Sequence, residues 1–297
     1  MPAPPPIRAV ICCVEYDDLL AMTLPLNSKH FSEVVVVTSY ADDRTRDVVR
    51  SVPGARFFCT DAFYADGAKF NKWRAIEVAL DDMGRTGGLG HLDADILSPP
   101  TRSLPPLDPN KLYAPLRRIL PDIAQWYPGL DWSRLILRRD KHNEYPGYFH
   151  LFNAAAPVLH KTPWYGTEWT HAGGGDKEFQ NRFGDARKVR LDFDVLHLGP
   201  VDANWFGRVT ERLDGEAIPE VAARHADMEA FLAGKGWSRP KSRAVVAERL
   251  ASATPVSEIK QPAAPRRPAQ VSQPPKTQQQ RVRSRYIATP TKKRPLP

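Results

Sequence analysis

Two stretches near the start of the chain, IRAVICCVEY (7–16) and EVVVVTSY (33–40), are almost unbroken runs of β-branched and other apolar residues, and ARFFCTD (55–61) is a shorter third. Runs without polar alternation predict strands of a sheet covered on both faces. The segments between them are long enough for crossover helices or loops. From Phe70 the period changes. Trp73, Ile76, Leu80 and Met83 fall on one face of a helix that the pattern ends near Gly84. GGLGHLDADILSPP (87–100) then predicts another buried strand, stopped by a proline pair. Strand, crossover, strand, strand, helix, strand is the order of an open α/β sheet, whose ligands sit at the carboxyl ends of the strands.

The second half is less regular. Residues 98–170 are rich in proline and in aromatics from Trp126 to Trp169. GGGDKEFQNRF (173–183) reads as a glycine run leading into a helix, VRLDFDVLHLG (189–199) as a strand pair, and EVAARHADMEAFLAG (220–234) as a closing helix. No internal repeat is visible. With 297 residues and 42% hydrophobic content, the chain can bury a substantial core in one large domain or two modest ones.

The net charge of +8 is misleading as a global property. Residues 255–297 hold 10 Lys or Arg against one acid, so the rest of the chain carries 32 basic and 33 acidic side chains. That Pro-, Gln- and Arg-rich tail has too little apolar surface to offset its ordering entropy, and it is predicted to be disordered. It would serve as a solubilising extension or as a tether to an acidic surface, nucleic acid or partner. The start, MPAPPPIRAV, lacks the features of a signal peptide, and no run approaches the length of a membrane span. Cys12, Cys13 and Cys59 are odd in number and lie in apolar runs, as reduced core thiols do. Together these features predict a cytoplasmic protein.

Candidate chemistry starts at the end of HLDADIL. On a continuous strand Asp93 and Asp95 would point the same way, about 7 Å apart, and like charges so placed call for a cation. A D-x-D pair is weak evidence alone, since Asp192 and Asp194 form a second one. The first differs in context: it follows an amphipathic helix, a Gly-rich turn and an apolar run, and SPP exposes the strand end behind it.

The order VVVVTSYADDRT, TDAFY, KFNKWRAIEVAL, HLDADIL resembles the nucleotide-sugar-binding half of GT-A glycosyltransferases of the family 2-like group. The similarity covers residues 7–100, and more loosely reaches about 208 through GYFHLFN, GGGDKEF, HLG and NWFGR. It implies a GT-A type open mixed sheet flanked by helices in a single catalytic domain. Residues 1–100 would form the nucleotide-sugar-binding half and 101–238 the acceptor and catalytic half, with a peripheral helix at 239–254 before the tail. It also implies a divalent cation, Mn²⁺ or Mg²⁺, bridging the donor diphosphate. Asp95 would be a direct ligand, Asp93 would reach the metal or the ribose, and His197 would complete the site. Hard oxygen donors plus substrate phosphates agree with how such ions are held. On a continuous strand His197 shares a face with Phe193 and Val195, which equally suits a hydrogen-bonded core histidine.

The resemblance further puts Asn71 and Lys72 beside the donor nucleotide. Trp73 stands where glycine is usual, and Thr38 and Ser39 occupy the place where an aspartate often contacts the base. Asp176 is the candidate general base if the reaction inverts the sugar, with Glu178 as alternate; an N-cap role would explain Asp176 without chemistry. The implied function is metal-dependent transfer of a sugar from a nucleotide-diphosphate sugar to an acceptor hydroxyl on a glycan, lipid, protein or modified DNA base. Two other readings stay open. A nucleotidyltransferase would use the same metal and phosphates, although the place of its usual basic Gly-rich loop reads CCVEYDDLL. A binding protein would work through its basic tail.

Overall fold

A computed structural model describes residues 6–140 and 144–234, all within one compact unit. The expectations for a helix at 239–254 and for the tail at 255–297 lie outside the described residues.

The apolar runs form the expected strands, each a little shorter than the run: β1 (Ile7–Cys12), β2 (Glu33–Thr38) and β3 (Ala55–Cys59). Helix α1 (Asp17–Asn27) links β1 to β2 and α2 (Asp43–Arg50) links β2 to β3. The amphipathic helix is α3 (Lys72–Met83), followed by β4 (Gly88–Asp93) and β5 (Ile96–Leu97). The second half adds β6 (Leu112–Leu120), β7 (Ile136–Arg138), β8 (Phe149–Asn153), α4 (Gly175–Phe183), β9 (Lys188–Leu198) and α5 (Val221–Gly234). The segment read as a strand pair around 189–199 is therefore one long strand.

The nine strands make a single sheet in the order β3-β2-β1-β4-β8-β6-β9-β5, with β7 against β6. β1 pairs in parallel with β2 and β4, β2 with β3, and β6 with β9, whereas β8 is antiparallel to both β4 and β6. Two reversals across β8 restore the direction, so β1, β2, β3, β4, β6 and β9 all end on the same side of the sheet. The expected open mixed sheet flanked by helices is what is observed.

Alternation along β1 and β2 divides the core around them in two, and a smaller third cluster gathers Leu97, Leu120, Leu196 and Leu198 at the β5–β9 end of the sheet. Val35, Val37, Val10 and Cys12 pack against α3 and α4, through Ile76, Leu80 and Phe179 among others. Val34, Val36, Ala9 and Ile11 pack against α1 and α2, through Leu20, Leu24 and Val49. Both faces are covered, which is why the strands read as continuous apolar runs. Pro115 lies inside β6 where the register with β9 shifts, the kind of bulge that tolerates a residue without an N–H.

Candidate functional site

The stretch HLDADIL is not one strand. β4 ends at Asp93, Ala94 and Asp95 form a turn, and β5 leaves in a new direction to pair antiparallel with β9, Ile96 opposite His197. Buried polar side chains of α1 fix this turn. Thr23 donates its hydroxyl to Ala94 O at 2.7 Å, Asn27 donates its amide to Ile96 O at 2.6 Å, and Ser98 N–H returns a bond to Asn27 Oδ1 at 2.9 Å. The expectation that both aspartates project from a single strand is thus corrected: backbone polar groups captured by α1 break the strand between them. The two carboxylates consequently face different partners.

Asp93 accepts a hydrogen bond from Lys72 Nζ at 2.8 Å, and Lys72 also donates to Gly147 O at 3.3 Å. Burial raises the Asp93 pKa, with Lys72 countering in part. Burial opposes the charge on Lys72, yet the adjoining carboxylate raises its pKa above the ordinary value. Lys72 opens α3. Asn71 caps that helix, accepting from Arg74 N–H at 3.0 Å, and its buried amide donates to the carbonyls of Thr167 and Trp169. The Asn71 side chain is therefore spent on the fold. Trp73 is buried, stacks on Tyr165 and donates its indole N–H to Ala172 O at 2.8 Å.

That indole explains two glycines. A Cβ on Gly147 would stand 2.3 Å from Trp73 Cη2, and one on Gly175 would stand 2.5 Å from Trp73 Cδ1. Gly174 adopts φ +94° and lies against the Trp169 ring. Aromatic rings thus fill the space beside the glycine run. Asp176 is not the N-cap of α4, since Gly174 is. Its carboxylate accepts the Gly147 N–H at 2.8 Å, so Asp176, Gly147, Lys72 and Asp93 form one connected chain of contacts. Glu178 accepts from the Trp169 indole at 2.8 Å and is exposed.

Asp95 faces His197, with Oδ2 at 3.7 Å from Nε2. His197 Nδ1 lies 3.2 Å from Gly199 O. A carbonyl only accepts, so Nδ1 carries the proton and Nε2 presents a lone pair. Two acceptors thus point at one another in a buried site. Burial lifts the Asp95 carboxyl to about 6, against the charges of Lys72 and Arg117, and holds the His197 imidazole down at about 3. Asp95 Oδ1 is enclosed with no hydrogen-bond partner. Asp95 and His197 are the pair whose chemistry suits a divalent cation, with positions left for ligands from elsewhere. Among the described residues, no three His, Cys, Asp or Glu side chains converge tightly enough to hold a metal on their own.

Thr38 ends β2, where the base contact was expected. It is buried and donates its hydroxyl to Asp42 Oδ2 at 3.1 Å. Asp42 caps α2 through Thr45 and also accepts Glu15 N–H at 2.8 Å, so Thr38 helps to shape the loop after β1. Ser39, beside it, is buried. A cavity of about 560 Å³ opens just beyond the end of β1, between Val14 and Glu15, Tyr64, Phe70 and the Phe206–Gly207 segment, with Arg224 of α5 on its far side. The aspartates do not line it, but Cys12, two residues before Val14, is paired to Asp93 in the sheet.

The wall formed by residues 206–216 is held down by charge. Arg208, fully buried, donates to both Asp18 oxygens and to the carbonyls of Glu15, Thr210 and Glu211. Arg212 forms a bidentate pair with Asp17 at 2.7 and 2.8 Å. With Arg224 donating to the Glu15 carboxylate at 2.6 Å, all three acids in CVEYDDLL are paired with arginines. Sequence reasoning did not single out these arginines. Nor did it single out Arg117 of β6 or His91, whose buried ring nitrogens both lack hydrogen-bond partners, with Nε2 3.6 Å from Asp93 Oδ1. The usable signal was a polar residue inside an apolar strand pattern: His91 in GLGHLD and Arg117 in LYAPLRRIL.

No protein-family profile matches the sequence, and no curated protein matches it. Among solved structures, the chain is similar to mannosyl-3-phosphoglycerate synthase from Rubrobacter xylanophilus, with a TM-score of 0.39 and 13% identity over 80% of this chain and 77% of that one. It is also similar to 4-diphosphocytidyl-2C-methyl-D-erythritol synthase from Anaerococcus prevotii, with a TM-score of 0.38 and 11% identity over 76% and 95% of the two chains. A nucleotidyl transferase from Methanothermobacter gives 0.37 and 12% over 63% and 88%. At these scores the likenesses assign no activity, and the functional reading rests on the geometry above.

Proposed function

We propose that the chain is a divalent-cation-dependent glycosyltransferase, moving a sugar from a nucleoside-diphosphate sugar to an acceptor hydroxyl. The observation that carries this reading is the Asp95–His197 pair: two facing acceptors and one orphaned carboxylate oxygen, beside Lys72 and at the carboxyl ends of parallel strands. Asp95 and His197 would hold Mn²⁺ or Mg²⁺, which when bound neutralises charge on the departing diphosphate. Asp93 fixes Lys72, whose ammonium stands ready for phosphate oxygens. The nucleoside part would enter the cavity beyond β1, whose size suits such a ligand.

The acceptor hydroxyl oxygen bonds to the anomeric carbon as the bond from that carbon to the diphosphate oxygen breaks. Asp176 takes the hydroxyl proton, and the electron pair leaves on the diphosphate. This assignment makes the reaction inverting. The nucleotidyltransferase alternative needs a basic loop after β1; here that loop is acidic and its aspartates are bound by Arg208 and Arg212.

Calorimetry with UDP and GDP, in Mn²⁺ and then in chelator, tests the proposal. Binding of one of them should require the cation and should vanish in Asp95→Asn. Equal affinity in cation and chelator would overturn the role given to Asp95 and His197.

A further inference from the structure

The other arginines most deeply buried in the described residues have carboxylate partners: Arg208 has Asp18 and Arg212 has Asp17. Arg117 does not. It is 6% exposed, no carboxylate lies within ion-pair distance of it among the described residues, and its Nε–H is enclosed with no acceptor. Its one described close contact is the face of Tyr148, with the guanidinium carbon 4.3 Å from the ring centroid. Enclosing a cation without a counter-charge is costly, so the position calls for an explanation beyond packing.

The sheet register says where that charge points. Arg117 is opposite Val195 in the parallel β6–β9 pair, and Ile119 is opposite His197. Side chains two apart on a strand share a face, so Arg117 projects on the same face as His197. Its charge acts on Asp95 and on His197, in each case favouring the less protonated form. It also acts on Asp140, a buried carboxylate that accepts from Tyr148 O–H at 3.1 Å and has Arg138 and Arg190 each at 3.9 Å. Arg138 is held more closely by Asp202 at 2.8 Å, and Asp140 lies beyond ion-pair distance of Arg117, which leaves Arg117 with no close carboxylate of its own among the described residues.

We propose that Arg117 is an anion-binding residue of this site, taking phosphoryl oxygens of the ligand that Asp95 and His197 engage. A guanidinium fork matches phosphate oxygens, and an oxyanion beside it would give Arg117 the acceptor and the counter-charge it lacks. Those oxygens belong either to the diphosphate of the donor or to a phosphate on the acceptor. The inference deepens the proposed function and rests on it for the identity of the ligand, but not for the presence of an anion site.

Arg117→Met keeps the stem against Tyr148 and removes the charge; Arg117→Lys keeps the charge and loses the fork. Thermal melts of the full chain are followed with inorganic pyrophosphate alone, with UDP or GDP plus Mn²⁺, and with inorganic phosphate added to the nucleotide complex. The Met variant should melt no lower than wild type without ligand, because an uncompensated buried charge has gone. Its affinity for pyrophosphate and for nucleoside diphosphate should fall at least tenfold, with Lys intermediate, if the donor supplies the oxygens. Unchanged nucleotide affinity with loss of the phosphate effect assigns them to the acceptor. A Met variant that melts far below wild type yet keeps every anion affinity overturns the proposal and makes Arg117 a prop for Tyr148. Wild type that responds to pyrophosphate but to no nucleotide would sink the glycosyltransferase reading and leave the anion site standing.

Discussion

At the scale of single residues, the metal-side and base-side groups should fail in different ways. Asp95→Asn replaces one carboxylate oxygen by an amide NH2 and removes the charge beside His197, so nucleotide affinity and transfer should fall together. Asp176→Asn keeps the Gly147 contact but cannot take a proton. Its nucleotide affinity should hold while transfer drops by about 10² to 10⁴, measured by calorimetry and by turnover on a responsive acceptor. Full activity in that variant would remove Asp176 from the chemistry. His150 gives a separate test. It is fully buried between Tyr145 O at 2.7 Å and the Tyr165 hydroxyl at 3.3 Å, and burial holds its pKa down at about 4. The unfolded chain takes up a proton near pH 6.5 and the folded one does not. Wild type therefore loses stability from this group as pH falls from 6.5 to 4, by about 3 kcal/mol at most. His150→Gln lacks that loss, so the gap between variant and wild type in urea titrations should narrow steadily over this window. Asp93 and Asp95 stood out in the sequence because charged residues end an apolar run, whereas Lys72 and His197 were singled out through the resemblance to GT-A enzymes. Arg117 and His91 were not, because a polar residue inside a strand reads as an outward-facing position until the opposite face is known to be covered too.

The elements place these residues through contacts that pattern alone does not encode. Helix α3 was readable from its apolar face, yet the role of its Trp73 depends on where two distant glycines pass. Gly147→Ala would drive a Cβ into the indole and into Asp176 Cβ, and it should cost about 1–3 kcal/mol and disturb the Lys72–Gly147–Asp176 connection. Adding Trp73→Phe makes room, so the double variant should recover part of the loss. Chemical denaturation of the four-member cycle measures that coupling, and strict additivity would show that the ring is not what excludes the side chain. The turn between β4 and β5 was misread for a related reason. Periodicity carries the apolar run through Leu97, while the break comes from Thr23 and Asn27, which lie some seventy residues earlier. The strands β6 and β7 went unread because Pro115 and closely spaced arginines interrupt their alternation.

At the scale of the molecule, the segment 206–216 and the loop after β1 are joined by buried charge. Arg208→Met strands Asp18 without its partner and removes bonds to three carbonyls, so it should cost about 3–5 kcal/mol in denaturant titrations, with the 206–216 region the first to be cut by protease. A loss below about 1 kcal/mol would mean that apolar packing of Phe206 holds the segment instead. The open sheet and its direction were legible from the order of the first elements. The insertion of β8 was not, since nothing local tells an antiparallel strand where to dock. That insertion bears on how the protein can be made. β8 covers the outer edge of β4, and β9 covers β5. A fragment ending soon after the proline pair would keep all the apolar strands of the first half and expose the whole edge of β4 to solvent. Such an edge recruits other chains. Expressed alone, residues 6–104 should go to inclusion bodies or scatter light on refolding, and co-expression with 105–234 should restore a soluble product. The two halves of the site are inherited together or not at all.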